Sequence, residues 1–173
     1  MKDMLHQIEP LIPTLRRYAR TLLRDRSAAD DLVQDCLERA VGNWSQRKDG
    51  NARAWIFTIL HNLAMTRLRS SSTRPHHIAI EDAQDDTFAQ APAQEDGMRY
   101  RELLGALDRL PEEQKTVLLL ATVEGFSYAE TAAVLAIPLG TVMSRLSRAR
   151  ERLLKEMDEG RSNAPGAHLR RVK

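Results

Sequence analysis

Toward the C-terminal end, Thr141, Ser144, Arg145, Arg148 and Arg152 recur at steps of three and four residues, a spacing that lines them along one side of a helix. A solvent-facing row of guanidinium and hydroxyl groups suits the major groove of DNA. There arginine donates two hydrogen bonds to guanine, and hydroxyls contact phosphates or bases. Each well-made arginine–guanine pair contributes about 1–3 kcal/mol of discrimination. Glu151 and Glu156 stand where Arg148 and Arg152 could pair with them, so ion pairing on a plain surface helix is the competing reading. Arg145 and Thr141 have no acidic residue three or four positions away. Catalytic chemistry has one candidate, Cys36 as nucleophile with His61 as base. Cys36 falls on an apolar stripe and no Gly-rich oxyanion loop accompanies it, so no catalytic residue is expected. His76 and His77 are adjacent, project in different directions and make a poor metal pair; no metal or cofactor is expected.

The arginine row needs a scaffold, and the stretch Tyr128 to Ser147 supplies the layout of a helix-turn-helix. Ser127 with Glu130 forms a capping box, small residues follow, and Ile137 and Pro138 break the helix before another begins near Gly140. On that second helix Val142, Leu146, Ala149 and Leu153 make the inward stripe. Upstream, Leu103, Leu104, Leu107 and Leu110 form a further stripe. Pro111 suits a first helical position, Glu112 and Glu113 suit a helix start, Val117 to Leu120 supply core, and Gly125 ends that helix.

The N-terminal part reads as three more helices. Ile8, Leu11, Ile12, Leu15, Ala19 and Leu22 share one face, with Pro10 and Pro13 limiting where it begins. Ser27 and Asp30 read as the start of the next, which buries Ala29, Leu32, Val33, Cys36, Leu37 and Ala40. A polar loop from Gly42 to Asn51 leads to a third helix with Trp55, Ile56, Ile59, Leu60, Leu63 and Leu68 spaced for packing. No stretch alternates like a strand, so the fold class is all-α.

Charge divides the chain. Residues 1–69 carry net +4, residues 70–97 net −5 and residues 98–173 net +3 within a total of +2. Two mildly basic blocks around an acidic strip poor in large apolar residues predict two small helical domains, spanning 1–70 and 98–158, joined by a flexible linker over 71–97. Residues 159–173 read as a basic disordered tail. The single cysteine excludes an internal disulfide. Asp3, His6 and Glu9 interrupt any signal peptide and no segment is long enough to span a membrane, so no membrane insertion and a cytoplasmic location are expected.

Four segments carry a family likeness: AADDLVQDCLERAVGNW (28–44), RAWIFTILHNLAMTRLR (53–69), LDRLPEEQKTVLLL (107–120) and FSYAETAAVLAIPLGTVMSRLSRARERL (126–153). In this order and at these separations they resemble the extracytoplasmic-function (ECF) group of bacterial sigma factors, within the sigma-70 family. The resemblance implies a factor that directs promoter-specific transcription initiation, in a stress or envelope response. Its implied partners are RNA polymerase core, promoter DNA and an anti-sigma factor.

The resemblance implies that the first block docks on the polymerase through Asp30, Asp31, Leu32, Gln34, Asp35 and Glu38, and opens the -10 element. The loop from Gln46 to Asn51 would take up a flipped base, with Arg53, Trp55, Asn62, Arg67 and Arg69 near the DNA. Trp55 serves equally well as core. The second block would read the -35 element with Gly140, Thr141, Ser144, Arg145, Ser147, Arg148 and Arg152. Two departures stand out: Met143 where many relatives have a lysine or arginine, and Thr66 where an aspartate is usual. The alternative is a helix-turn-helix regulator that works without polymerase, which leaves segments 28–44 and 53–69 without a role.

Overall fold

The computed structural model describes residues 2–47, 51–71 and 94–162. All regular elements among them are helical. Helix α1 (Lys2–Ile8) runs through a tight turn at Glu9–Leu11 into α2 (Ile12–Leu23). Pro13 occupies the first turn of α2, where its missing N–H costs nothing. Arg24, at φ 56°, closes α2 in the left-handed region. Helix α3 (Arg26–Gly42) is capped two residues before the expected Ser27. The Asp25 carboxylate accepts from the Ala28 N–H at 2.9 Å, a charged acceptor already in place ahead of the serine.

Helix α4 (Ala52–Ser71) packs against α1, α2, α3 and a helix of the second block. A helix surrounded on most sides must be apolar on most sides. Ile56, Phe57, Leu60 and Ala64 are fully buried, while Trp55, Ile59 and Leu63 fill its flanks. Leu15, Tyr18, Ala19 and Leu22 of α2 and Leu32, Val33, Cys36 and Ala40 of α3 complete this core.

Helix α5 (Gln94–Arg109) begins four residues before the expected boundary at 98, so the second block claims the end of the segment read as linker. The remainder of that segment (72–93), His76 and His77 within it, residues 48–50 of the loop, and tail residues 163–173 lie outside the described residues. Pro111 is the residue ahead of α6 (Glu112–Leu118) rather than its first turn. Leu119–Val123 then form one widened turn, closed by the Glu124 N–H donating to the Leu119 carbonyl at 2.9 Å, and Gly125 reverses the chain at φ 68°. Helices α7 (Tyr128–Leu135) and α8 (Leu139–Ser162) complete the block. Leu110, Val117, Leu118, Val142, Leu146 and Ala149 form its own core.

The two blocks do not stand apart. Leu119, Leu120, Phe126 and Val134 of the second are buried in one cluster with the core of the first. Phe126 sets its ring edge-on to Phe57 with centroids 5.0 Å apart.

Candidate nucleic-acid interface

The expected capping box is present on α7. Ser127 Oγ accepts from the Glu130 N–H at 3.2 Å, and Glu130 Oε2 accepts from the Ser127 N–H at 2.9 Å. The Ser127 N–H and hydroxyl, both donating to this carboxylate at 2.9 Å, hold the Glu130 carboxyl below the usual carboxylate range. Ala136 ends α7 in the left-handed region at φ 52°, and the Pro138 carbonyl accepts from the Thr141 and Val142 N–H groups to start α8. This short turn fixes α8 across α7, and Val142, Leu146 and Ala149 anchor its inner side.

On the outer side Gly140, Ser144, Ser147, Arg148 and Arg152 are exposed. Among the described residues neither Arg148 nor Arg152 has an ion-pair partner, and Glu156 pairs with Arg109 of α5 instead. Two members of the row sit lower. Thr141 is half-buried, and Arg145 reaches Glu113 of α6 at 2.8 Å with a quarter of its side chain exposed. Scanning only positions three and four residues away missed Glu113, because that pair is tertiary.

In the first block a hollow of about 400 Å³ opens between the end of α3 and the outer face of α4, lined by Arg39, Asn43, Gln46, Trp55, Ile59, Asn62, Leu63 and Thr66. Trp55 stands edge-on to Trp44 with centroids 6.0 Å apart, and the Arg47 guanidinium lies 4.2 Å above the Trp44 ring. The hollow thus offers an aromatic wall, three side-chain amides and a cation. Of the residues expected near DNA, it gathers Trp55, Asn62 and Gln46, the first residue of the loop expected to take up a flipped base. Arg67 instead donates to the Ala28 carbonyl at 3.1 Å and lies 3.9 Å from Asp31, while Arg69 donates to Met65 on its own helix. The spacing of Trp55, Ile59, Asn62 and Thr66 at i, i+4, i+7 and i+11 was the signal that would have found this face.

Arg53 is turned away from the hollow. It donates to the Glu124 carbonyl, lies 4.0 Å from the Glu124 carboxylate, and stacks 4.3 Å above Phe126. Next to it, Asn51 donates to Glu130 at 2.8 Å. Glu124, with 1% of its side chain exposed, accepts from Arg17 Nε at 3.1 Å and Nη2 at 2.8 Å. A further pair, Arg24 with Asp108 at 2.8 Å, joins the blocks, and Asp108 also meets buried Lys115 at 3.7 Å. Burial lowers the Lys115 pKa.

On α3 the acidic surface divides. Asp30 is held by Arg20 at 3.2 Å and Arg16 at 3.8 Å, whereas Asp31, Gln34, Asp35 and Glu38 are exposed. Leu32, expected on the docking face, is buried at 2% exposure and supports the helix from beneath.

Comparison with known proteins matches residues 8–61 to the sigma2 domain of PhyR and residues 100–153 to sigma-70 region 4. The ECF RNA polymerase sigma factor EcfG of Rhodopseudomonas palustris is 39% identical over 147 residues, covering 82% of this chain and 78% of that protein. The chain belongs to the ECF sigma factors. A second relative in this group, SigM of Mycobacterium tuberculosis, is 35% identical over 82% of this chain and 70% of its own length. Among solved structures, the sigma factor RpoE from Bartonella quintana, in complex with the anti-sigma factor NepR, superposes with a TM-score of 0.74 at 31% identity. The match covers 91% of this chain and 98% of that one.

For an ECF sigma factor the work is promoter-specific initiation of transcription, and α7 with α8 is its DNA-binding helix-turn-helix. Cys36 and His61 have separate surroundings. The Cys36 thiol points at the Ile56 carbonyl at 3.6 Å, and burial pushes its pKa up to about 12, which leaves it an inert core group. His61 meets the Tyr18 hydroxyl at 3.1 Å, and burial lowers its pKa to about 4. Among the described residues no three metal-ligating side chains cluster, and no helix is long and apolar enough to cross a membrane.

Proposed function

We propose that this ECF sigma factor grips RNA polymerase core through Asp31, Gln34, Asp35 and Glu38 of α3. It then presents the Trp55–Asn62 hollow to a base of the melted -10 strand and α8 to the -35 duplex. It catalyses no reaction of its own and acts in the cytoplasm, in a stress or envelope response. Aromatic stacking inside a basic rim is the general means of holding an unpaired base, worth about 1–3 kcal/mol per base. Tethering both contacts to one polymerase raises the effective concentration of the second once the first is made.

The observation that carries this reading is the engagement of Asn51 and Arg53. Both stand at the start of the helix that lines the hollow, and both are bound by acidic residues of the second block. Engagement of the promoter by Asn51 and Arg53 therefore requires the blocks to part, and for these two residues the packed arrangement is a holding state. RpoE, similar over nearly its whole length, is bound to the anti-sigma factor NepR in its solved structure, and an anti-sigma protein of that kind stabilising the packed state here fits the likeness.

The test is transcription from a promoter fragment selected by the factor and purified core polymerase. Trp55→Ala and Asn62→Ala are expected to lower open-complex formation while leaving core binding intact, and Asp35→Ala with Glu38→Ala to lower core binding. A chain that shows no association with core polymerase ends the reading.

A further inference from the structure

We propose that Met143 and Leu139 form an apolar contact for thymine methyl groups in the upstream duplex, making this pair a specificity determinant of the -35 contact. The inference rests on α8 lying in the major groove, as proposed above. Two large apolar side chains stand open on the first turns of this helix, Leu139 at 49% and Met143 at 54% exposure. Among the described residues, the other large apolar side chains left open (Leu5, Val41, Val123, Tyr128 and Leu154) are scattered over several elements, and only Leu139 and Met143 stand one helical turn apart.

Their position decides what can cover them. At about 100° per residue, Met143 lies on the flank of the exposed face formed by Gly140, Ser144, Ser147 and Arg148, opposite buried Val142, Leu146 and Ala149. Met143 thus borders the hydrogen-bonding surface beside Ser147, and Leu139, one turn earlier, extends that border toward the buried stripe. It stays open while the second block is packed on the first, so the packing between blocks does not account for it. Neither side chain can donate to a phosphate or a base edge. The apolar group that base pairs display in the major groove is the thymine C5-methyl. Methionine, unbranched and polarizable, adapts to a methyl whose position shifts with local groove geometry.

The expected effect is set by the burial of one carbon. Removing a methyl from a contacted thymine should weaken binding about three- to fourfold, the equivalent of one buried methylene. The experiment uses the full chain with core polymerase to select duplexes from a library randomised upstream of the start site. Each thymine of the selected -35 segment is then replaced, one at a time, by deoxyuridine, which keeps every hydrogen-bonding group and loses only the methyl. The expected result is a three- to fourfold loss at one or two positions with the native factor and no loss at those positions with Met143→Ala. Arg148→Ala should weaken binding to thymine and uracil duplexes alike.

Uracil tolerated everywhere by the native factor, or a selected segment without thymine, overturns the proposal, and the apolar pair then belongs to a protein contact. If Arg148→Ala still weakens binding in that outcome, the placement of α8 in the groove survives. If Arg148→Ala is also neutral, that placement falls as well.

Discussion

Replacing Glu124 by glutamine keeps the shape of the side chain and removes the charge that Arg17 and Arg53 share. The carboxylate is 1% exposed and accepts two bonds from Arg17, at 3.1 and 2.8 Å. Breaking a fully buried pair by removing one partner costs about 3–5 kcal/mol. Arg17 keeps 26% of its side chain exposed and Arg53 keeps 36%, so water takes up part of the lost interaction, and about 2 kcal/mol is the working figure. That amount changes an equilibrium by about 30-fold. It falls on the packing of the blocks, because Arg17 and Glu124 lie 107 positions apart on opposite sides of the seam. The assay is urea unfolding of Glu124→Gln, Arg17→Met and the double variant. Tryptophan fluorescence reports the first block, where both tryptophans lie, and circular dichroism reports both blocks. Each single variant should lose about 2 kcal/mol, and the double variant little more than the worse single. The two signals, coincident in the native chain, should separate. Additive losses in the double variant would refute the coupling and with it the role of the Arg17–Glu124 pair in holding the blocks together.

Phe126→Ala removes a ring that is 3% exposed and packed on both Phe57 and Arg53, and should cost about 3–4 kcal/mol in the same unfolding assay. His61 is neutral when folded, with its pKa lowered by burial from 6.5 to about 4. The unfolded chain therefore takes up the proton first. Stability should hold above pH 6.5 and fall by about 3 kcal/mol as pH drops from there to 4, a slope that His61→Gln should flatten in denaturant titrations across pH. Ser127→Ala removes the cap of α7 and should cost about 1 kcal/mol, read as a lowered urea midpoint.

What could be read from the sequence was local. The Ser127–Glu130 box, the break at Ile137 and Pro138, and the inner stripe of α8 all lie within a few residues of one another, so spacing alone defines them. Boundaries shifted where two local solutions competed: Asp25 caps α3 ahead of Ser27, and α5 draws Gln94 to Gly97 out of the apparent linker. Leu32 joined the docking candidates because its acidic neighbours carry the family likeness, yet its side chain follows the buried stripe. The seam escaped notice because its partners are far apart in the chain. Nothing near Glu124 announces Arg17, and nothing near Arg145 announces Glu113. The hollow was half visible, through Gln46, Trp55 and Asn62, while Arg39 and Asn43 join it only once α3 is laid beside α4.

The shared cluster of Phe57, Leu120, Phe126 and Val134 has a cost that emerges only when the blocks separate. Both halves of an oily joint then meet water together, and exposed patches of that kind adhere to one another. An opened factor waiting alone would drift toward self-association as its concentration rises, whereas one that arrives shut and unfolds onto the transcription machinery passes its greasy faces directly to a host. Solubility and timing are thus coupled through the same four side chains.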